Sequence, residues 1–396
     1  MDYLFEISER LIAHASTDIQ RPQLQKLSQG GRMIGLKGAR GVGKSTLLLQ
    51  FAKSFLRDKK KLYISLDDIA FADQRLTDFA DTFVKLGGEC LLLDEVHSYK
   101  GWARELKNIY DRYPGLQVLF TGSSMLQLSD GLPELSRRAV IHDLPALSFR
   151  EYLLFETGIS FELLSLEDIL RDHQRLSKEI WQEIRPLQHF EAYLKGGCYP
   201  YFFENPETYD IRLRETVIRV IESDLLITTG ISPSSMEKIK QLLYIISHSV
   251  PFKPNIDKLA ERMQIGKNNL KAYFRYLDMA GITRSLFSAK KGISLLTKPE
   301  KVYLAHPNLM HSLNPGQVNA GTQRESFFLS QLAPLHTVTE PDKADFRVDD
   351  HYLFEIGGKN ETPAQIKGES NAYLAVDGIE TGFGNRIPLW LFGFLY

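Results

Sequence analysis

The stretch KGARGVGKSTLLLQ, residues 37–50, sets three glycines, a lysine and a serine directly ahead of an apolar run. Gly38 to Ser45 fit G-x-x-x-x-G-K-[ST] throughout, with RMIGLKG before them alternating like a strand and STLLLQFAKSFL after them reading as a helix. Glycines there let backbone N–H groups converge on phosphate oxygens, and the helix N-terminus adds a positive partial charge. The pattern predicts a cradle of Gly38, Ala39, Arg40, Gly41, Val42, Gly43, Lys44, Ser45 and Thr46 for a nucleoside triphosphate, ATP. Lys44 is expected at the β- and γ-phosphates and Ser45 on Mg²⁺.

A phosphate loop needs a carboxylate at the end of a second buried strand. ECLLLDEVHSY, residues 89–99, supplies it: a continuous apolar run, the signature of a parallel strand covered on both faces, ends in Asp94 and Glu95. Asp94 is expected to hold Mg²⁺ and Glu95 to polarise the attacking water, which makes the expected activity hydrolysis. A third strand, LQVLFTGSS, follows a helical stretch that begins at Trp102 and ends in Thr121, Ser123 and Ser124, polar groups placed to sense a γ-phosphate.

The order of the glycine loop, LLLDEVH, WARELKNIYDRYP, VLFTGSS and LSRRAVIHDLPALSFREYL resembles AAA-type P-loop ATPases of bacteria and archaea that carry an appended PD-(D/E)xK nuclease-like domain. That resemblance implies Thr121 and Ser123 as sensors and Arg137-Arg138 as the arginine-finger pair, acting within the chain or from a neighbouring subunit, hence a homo-oligomer in the second case. The chain departs from the family at Arg40-Gly41, where two arginines are frequent, and so lacks one charge near the phosphates.

The 396 residues exceed one hydrophobic core. We expect an α/β chain of four parts: a P-loop NTPase core with a parallel sheet over 1–146, a helical lid region over 147–236, a winged helix-turn-helix over 237–305 and a small α/β nuclease-like domain over 306–396. Forty-eight Lys and Arg against 49 Asp and Glu give no global attraction to polyanions, so any nucleic-acid contact must be local. Cys90 and Cys198 suggest no disulfide framework, and no apolar run approaches a membrane span. The expected setting is cytoplasmic, with no membrane partner.

Residues 148–236 carry apolar residues three to four apart, interrupted at YLKGGCYPYF, which reads as a packing turn. In PNIDKLAERMQIGKNNLKAYFRYLDMAGI the Ile265-Gly266 break is the expected turn and 267–279 the recognition-type helix. Leu270, Phe274 and Leu277 share one face; Lys267, Lys271 and Arg275 share another. From 258 to 291, Lys258, Arg262, Lys267, Lys271, Arg275, Arg284, Lys290 and Lys291 face only Glu261 and Asp278, a local net charge of +6. This predicts a DNA-backbone footprint, with a protein-docking module as the alternative.

Residues from about 321 onward restart an α/β pattern, with PLWLFGFLY read as a final buried strand. By the same resemblance Glu325, Asp345 and Glu355 fall on the acids of the nuclease-like domain, Asp345 and Glu355 as a second Mg²⁺ pair. An active member carries lysine two residues after the strand acid, on the same strand face. Here Gly357 stands there, and Lys359 lies about 13 Å from Glu355 along an extended strand instead of about 7 Å. The fold is expected without robust cleavage. Three functions follow: a DNA-coupled ATPase, an ATP-dependent switch acting on a protein partner, and an ATP-gated metal nuclease.

Overall fold

The computed structural model describes residues 1–71, 74–122, 134–288, 298–316, 318–362 and 366–396. The chain forms two compact units, residues 1–146 and 147–396.

In the first unit, α1 (Asp2–His14) and α2 (Gln23–Ser28) precede β1 (Met33–Lys37), α3 (Lys44–Phe55), β2 (Lys61–Ser65), α4 (Leu76–Lys85), β3 (Cys90–Asp94), α5 (Trp102–Arg112), β4 (Gln117–Gly122) and β5 (Val140–Asp143). The five strands run parallel in the order β2-β3-β4-β1-β5. Every residue of β3 is buried, as its unbroken apolar run requires of a strand covered on both faces. Period-two alternation divides the strands between the two faces. Leu62, Ile64, Leu91 and Leu93 enter one core with Phe79 and Phe83 of α4 and Leu106 and Ile109 of α5, whereas Tyr63 and Leu92 lie outside that cluster. The edge strand β2 is covered by α1, whose Ser8 hydroxyl accepts the outward N–H of Tyr63 at 2.8 Å.

The second unit opens with α6 (Phe149–Thr157), started by a reciprocal Ser148–Glu151 capping box. Then come α7 (Leu166–Glu183), α8 (Pro186–Lys195), α9 (Tyr209–Arg219), a π turn (Val220–Asp224), α10 (Leu225–Thr229) and α11 (Pro233–Ser247). Gly197 belongs to the expected packing turn: a Cβ there would stand 2.4 Å from the Tyr152 ring. Next follow α12 (Ile256–Met263), α13 (Lys267–Met279) and an antiparallel hairpin of β6 (Thr283–Leu286) and β7 (Lys301–Leu304), to which Phe252 adds a bridge at Val302. Gln264, in the left-handed region at φ 55, turns the chain between α12 and α13.

After α14 (Pro307–Leu313) and α15 (Ala320–Leu332) a mixed sheet is built from β8 (Val338–Thr339), β9 (Phe346–Val348), β10 (Tyr352–Gly357), β11 (Ala372–Val376) and β12 (Arg386–Pro388). Strands β8, β9 and β10 are antiparallel neighbours, and β10, β11 and β12 are parallel ones. The expected boundaries at 237 and 306 fall inside this unit, where Arg214 donates to the Ser312 carbonyl at 2.8 Å and Gln331 to the Tyr193 hydroxyl at 2.9 Å. The expected final strand is corrected: Leu389–Phe394 is buried but forms a 3₁₀ helix after Pro388. An apolar run dictates burial, and either backbone form satisfies it.

Candidate active site

The phosphate loop joins β1 to α3, and β1 lies beside β4, which lies beside β3. Their carboxyl ends therefore bring the loop, Asp94 and Thr121 together, where open parallel sheets bind ligands. The glycines have separate causes. A Cβ on Gly38 would stand 2.3 Å from the Leu144 carbonyl oxygen, and Gly43, the residue before α3, has φ 94. Gly41 also sits at φ 88, where an arginine would be strained. The buried Lys44 ammonium donates to the carbonyls of Gly38 at 3.0 Å and Ala39 at 2.9 Å, and Arg21 donates to the Val42 carbonyl at 3.0 Å.

Asp94 is 3% exposed and accepts from three donors. Its Oδ2 accepts the Tyr63 hydroxyl at 2.7 Å, while its Oδ1 accepts the Thr121 hydroxyl and the Glu95 N–H at 3.2 Å. The same Glu95 N–H also donates to the Thr121 hydroxyl oxygen at 3.3 Å. Burial, then the charge of Asp94, raises the Tyr63 phenol pKa well above its ordinary value and keeps it a neutral donor. Glu95 is a non-glycine residue at φ 51, a conformation that costs about 1 kcal/mol. His97 Nε2 lies 3.3 Å from its Oε2. Ser45 and Asp94 offer hard oxygen donors on either side of one spot, the donor chemistry that suits Mg²⁺. Thr46 is exposed and Arg40 half-buried.

Ser123 lies outside the described residues. The arginine pair is corrected as a finger within the chain. Val140 pairs with Ile34, so Arg137 and Arg138 stand at the amino end of β5, a strand length of about 15 Å from the phosphate loop. Arg138 is engaged there by both oxygens of Asp111 at 2.8 Å, and Arg137 is exposed. Tyr63, Arg21 and His97 were not singled out from the sequence. A lone polar tip inside the apolar KLYIS and the histidine of DEVH were the available signals.

In the second unit Glu325 and Glu355 both lie within reach of the Asp345 charge. Among the described residues no group of three or more His, Cys, Asp or Glu is placed to hold a metal ion. Glu325 accepts the Tyr303 hydroxyl at 2.6 Å, and Asp345 accepts the Ile356 N–H at 2.8 Å. Burial first, then the Asp345 charge, raises the Glu355 pKa. The position for a strand lysine is filled: a Cβ on Gly357 would stand 2.4 Å from the Glu361 Cβ. Lys359 offers its carbonyl to Arg386 at 2.9 Å.

The basic stretch is also thinner than its composition. Arg284 turns inward toward Asp278, which accepts the Thr283 hydroxyl and the Ser285 N–H, and Lys267 pairs with Asp257 at 2.5 Å. Lys290 and Lys291 lie outside the described residues. Lys258, Arg262 and Arg275 are exposed and Lys271 half-buried. Cys90 and Cys198 are free and buried, and burial pushes the Cys198 thiol up to about 12, which leaves it no nucleophile. No described helix is long and apolar enough to cross a membrane.

Residues 30–153 match the family model of an AAA domain, and residues 187–321 match that of a domain of unknown function. An uncharacterized protein of Methanocaldococcus jannaschii is 28% identical over 269 residues, 64% of this chain and 56% of its own length, so the chain spans little more than half of that curated relative. Among solved structures, a Walker-type ATPase of Pyrococcus abyssi is similar at 15% identity and a TM-score of 0.42, over 74% of this chain and 95% of that one. The RuvB Holliday junction branch migration motor of Thermotoga maritima is similar at 16% identity and a TM-score of 0.30, over 69% of this chain and 93% of that one.

Proposed function

We propose that the chain hydrolyses ATP and uses its nucleotide state to govern the second unit, on DNA; the match of residues 30–153 to an AAA domain supports the first part. The observation that carries hydrolysis is the joint placement of Lys44, Ser45, Asp94 and Glu95 at the carboxyl ends of neighbouring strands. Loop N–H groups and the Lys44 ammonium bind and orient the phosphates. Ser45 and Asp94 would hold Mg²⁺, which when bound neutralises charge on the phosphate oxygens. Glu95, fixed by its N–H and faced by His97, takes the proton of the attacking water. Thr121 touches Asp94 and the Glu95 backbone, which supports its sensor role. Arg137, exposed at the far end of the sheet, fits only a finger supplied to a neighbouring copy.

The DNA reading rests on Lys258, Arg262, Lys271 and Arg275, carried on a helix pair with a hairpin behind it, which is the order of a winged helix. A protein partner is the second reading, favoured by the inward Arg284 and the Lys267–Asp257 pair. A cutting role for Asp345 and Glu355 is opposed by Glu361 over Gly357. Steady-state ATP hydrolysis with and without duplex DNA, at low and moderate salt, tests all of this. Lys44→Ala should fall to background; unchanged turnover in that variant would sink the ATPase assignment. DNA should stimulate the unaltered chain in a salt-sensitive way, and Arg275→Glu should remove the stimulation. Indifference to DNA selects the protein partner.

A further inference from the structure

Tyr63 contributes nothing to the hydrolytic roles assigned above, yet it touches both side chains that would carry the metal. Leu62 and Ile64 enter the core shared with α4 and α5, so the alternation of β2 sends Tyr63 to the opposite face, toward the start of α3. It is 8% exposed, its hydroxyl donates to Asp94 Oδ2 at 2.7 Å, and the Ser45 side chain faces its oxygen. The phenol oxygen therefore lies between the two groups. Its backbone is held as firmly, through the N–H given to Ser8.

We propose that the Tyr63 phenol competes with the metal ion for Asp94 and Ser45, and so sets how much more tightly the site holds metal-nucleotide than nucleotide alone. The proposal rests on the ATP-site reading. A buried carboxylate needs a donor for each oxygen, and Tyr63 is the donor given to Oδ2. Mg²⁺ demands near-octahedral oxygen ligands at about 2.0–2.1 Å and usually keeps several of its waters. A metal held by Ser45 and Asp94 would take up the oxygens that the phenol now contacts. Metal entry then exchanges a charge-assisted hydrogen bond for a metal or metal-water contact, and the site binds metal less tightly than Ser45 and Asp94 alone allow.

The test is equilibrium binding of a fluorescent ADP analogue to the full chain, in EDTA and in excess Mg²⁺. Tyr63→Phe should leave the EDTA affinity unchanged and raise the gain produced by Mg²⁺ about tenfold, the worth of one hydrogen bond to a charged acceptor. Tyr63→Met, which fills similar space without a hydroxyl, should do the same and keeps the test alive if the phenylalanine variant fails to fold. A gain from Mg²⁺ that is unchanged or smaller in the folded variants overturns the proposal while leaving the ATP site intact. Failure of the unaltered chain to bind the analogue in either condition removes the ATP-site reading and the proposal together.

Discussion

Gly38 shows how one missing side chain shapes the phosphate loop. The loop folds back against the segment after β5, where the Leu144 N–H donates to the Lys37 carbonyl at 2.7 Å. That contact leaves no room at the neighbouring Gly38, because the Leu144 carbonyl oxygen occupies the place of a Cβ. Gly38→Ala must therefore push backbone against backbone, and we expect a loss of about 1–3 kcal/mol in stability. Nucleotide affinity should fall with it, since the carbonyl of Gly38 also accepts the Lys44 ammonium. Chemical denaturation and nucleotide titration of the variant check both. The motif revealed that glycine was wanted at 38; only the fold reveals that Leu144 is the reason.

At the scale of elements, α13 and β6 are tied by hydrogen bonds to Asp278, an acid that the sequence reading only counted against the basic stretch. Asp278 accepts from Thr283 at 2.5 Å and from the Ser285 N–H at 3.2 Å, and Arg284 lies inward beside it. Asp278→Ala should cost the second unit about 1–3 kcal/mol by leaving the Thr283 hydroxyl and the Ser285 N–H without their acceptor, and Asp278→Asn should cost less. Denaturant midpoints of the two variants measure it. The ends of α13 were legible, because a glycine precedes Lys267 and apolar residues recur at 270, 274 and 277. The direction of Arg284 was not, since it depends on an acid from another element. For the same reason Asp94 and Glu95 could be read from their strand, while Tyr63 could not: its partners come from α3 and β3, and KLYIS carries no trace of them.

For the second unit as a whole, His306 links stability to pH. It is 7% exposed, faced by Arg284 and the Tyr199 ring, and burial first, then the Arg284 charge, holds its pKa down to about 3. A histidine depressed on folding takes its proton more readily in the unfolded chain. Between about pH 6.5 and pH 3 the unfolded state therefore binds more protons, and stability falls as pH falls. From pH 7 to pH 5 this group should account for about 2 kcal/mol. His306→Phe should lose less stability than the unaltered chain over that interval, as read from urea midpoints at pH 7 and pH 5. Equal losses would refute the assignment. The first unit carries a different consequence of its architecture. A bare β2 would offer its backbone to any passing extended chain, and α1 is what denies it. The 13 residues of that helix thus protect the solubility of the first unit, and a shortened chain lacking them would be prone to recruit its own copies strand by strand.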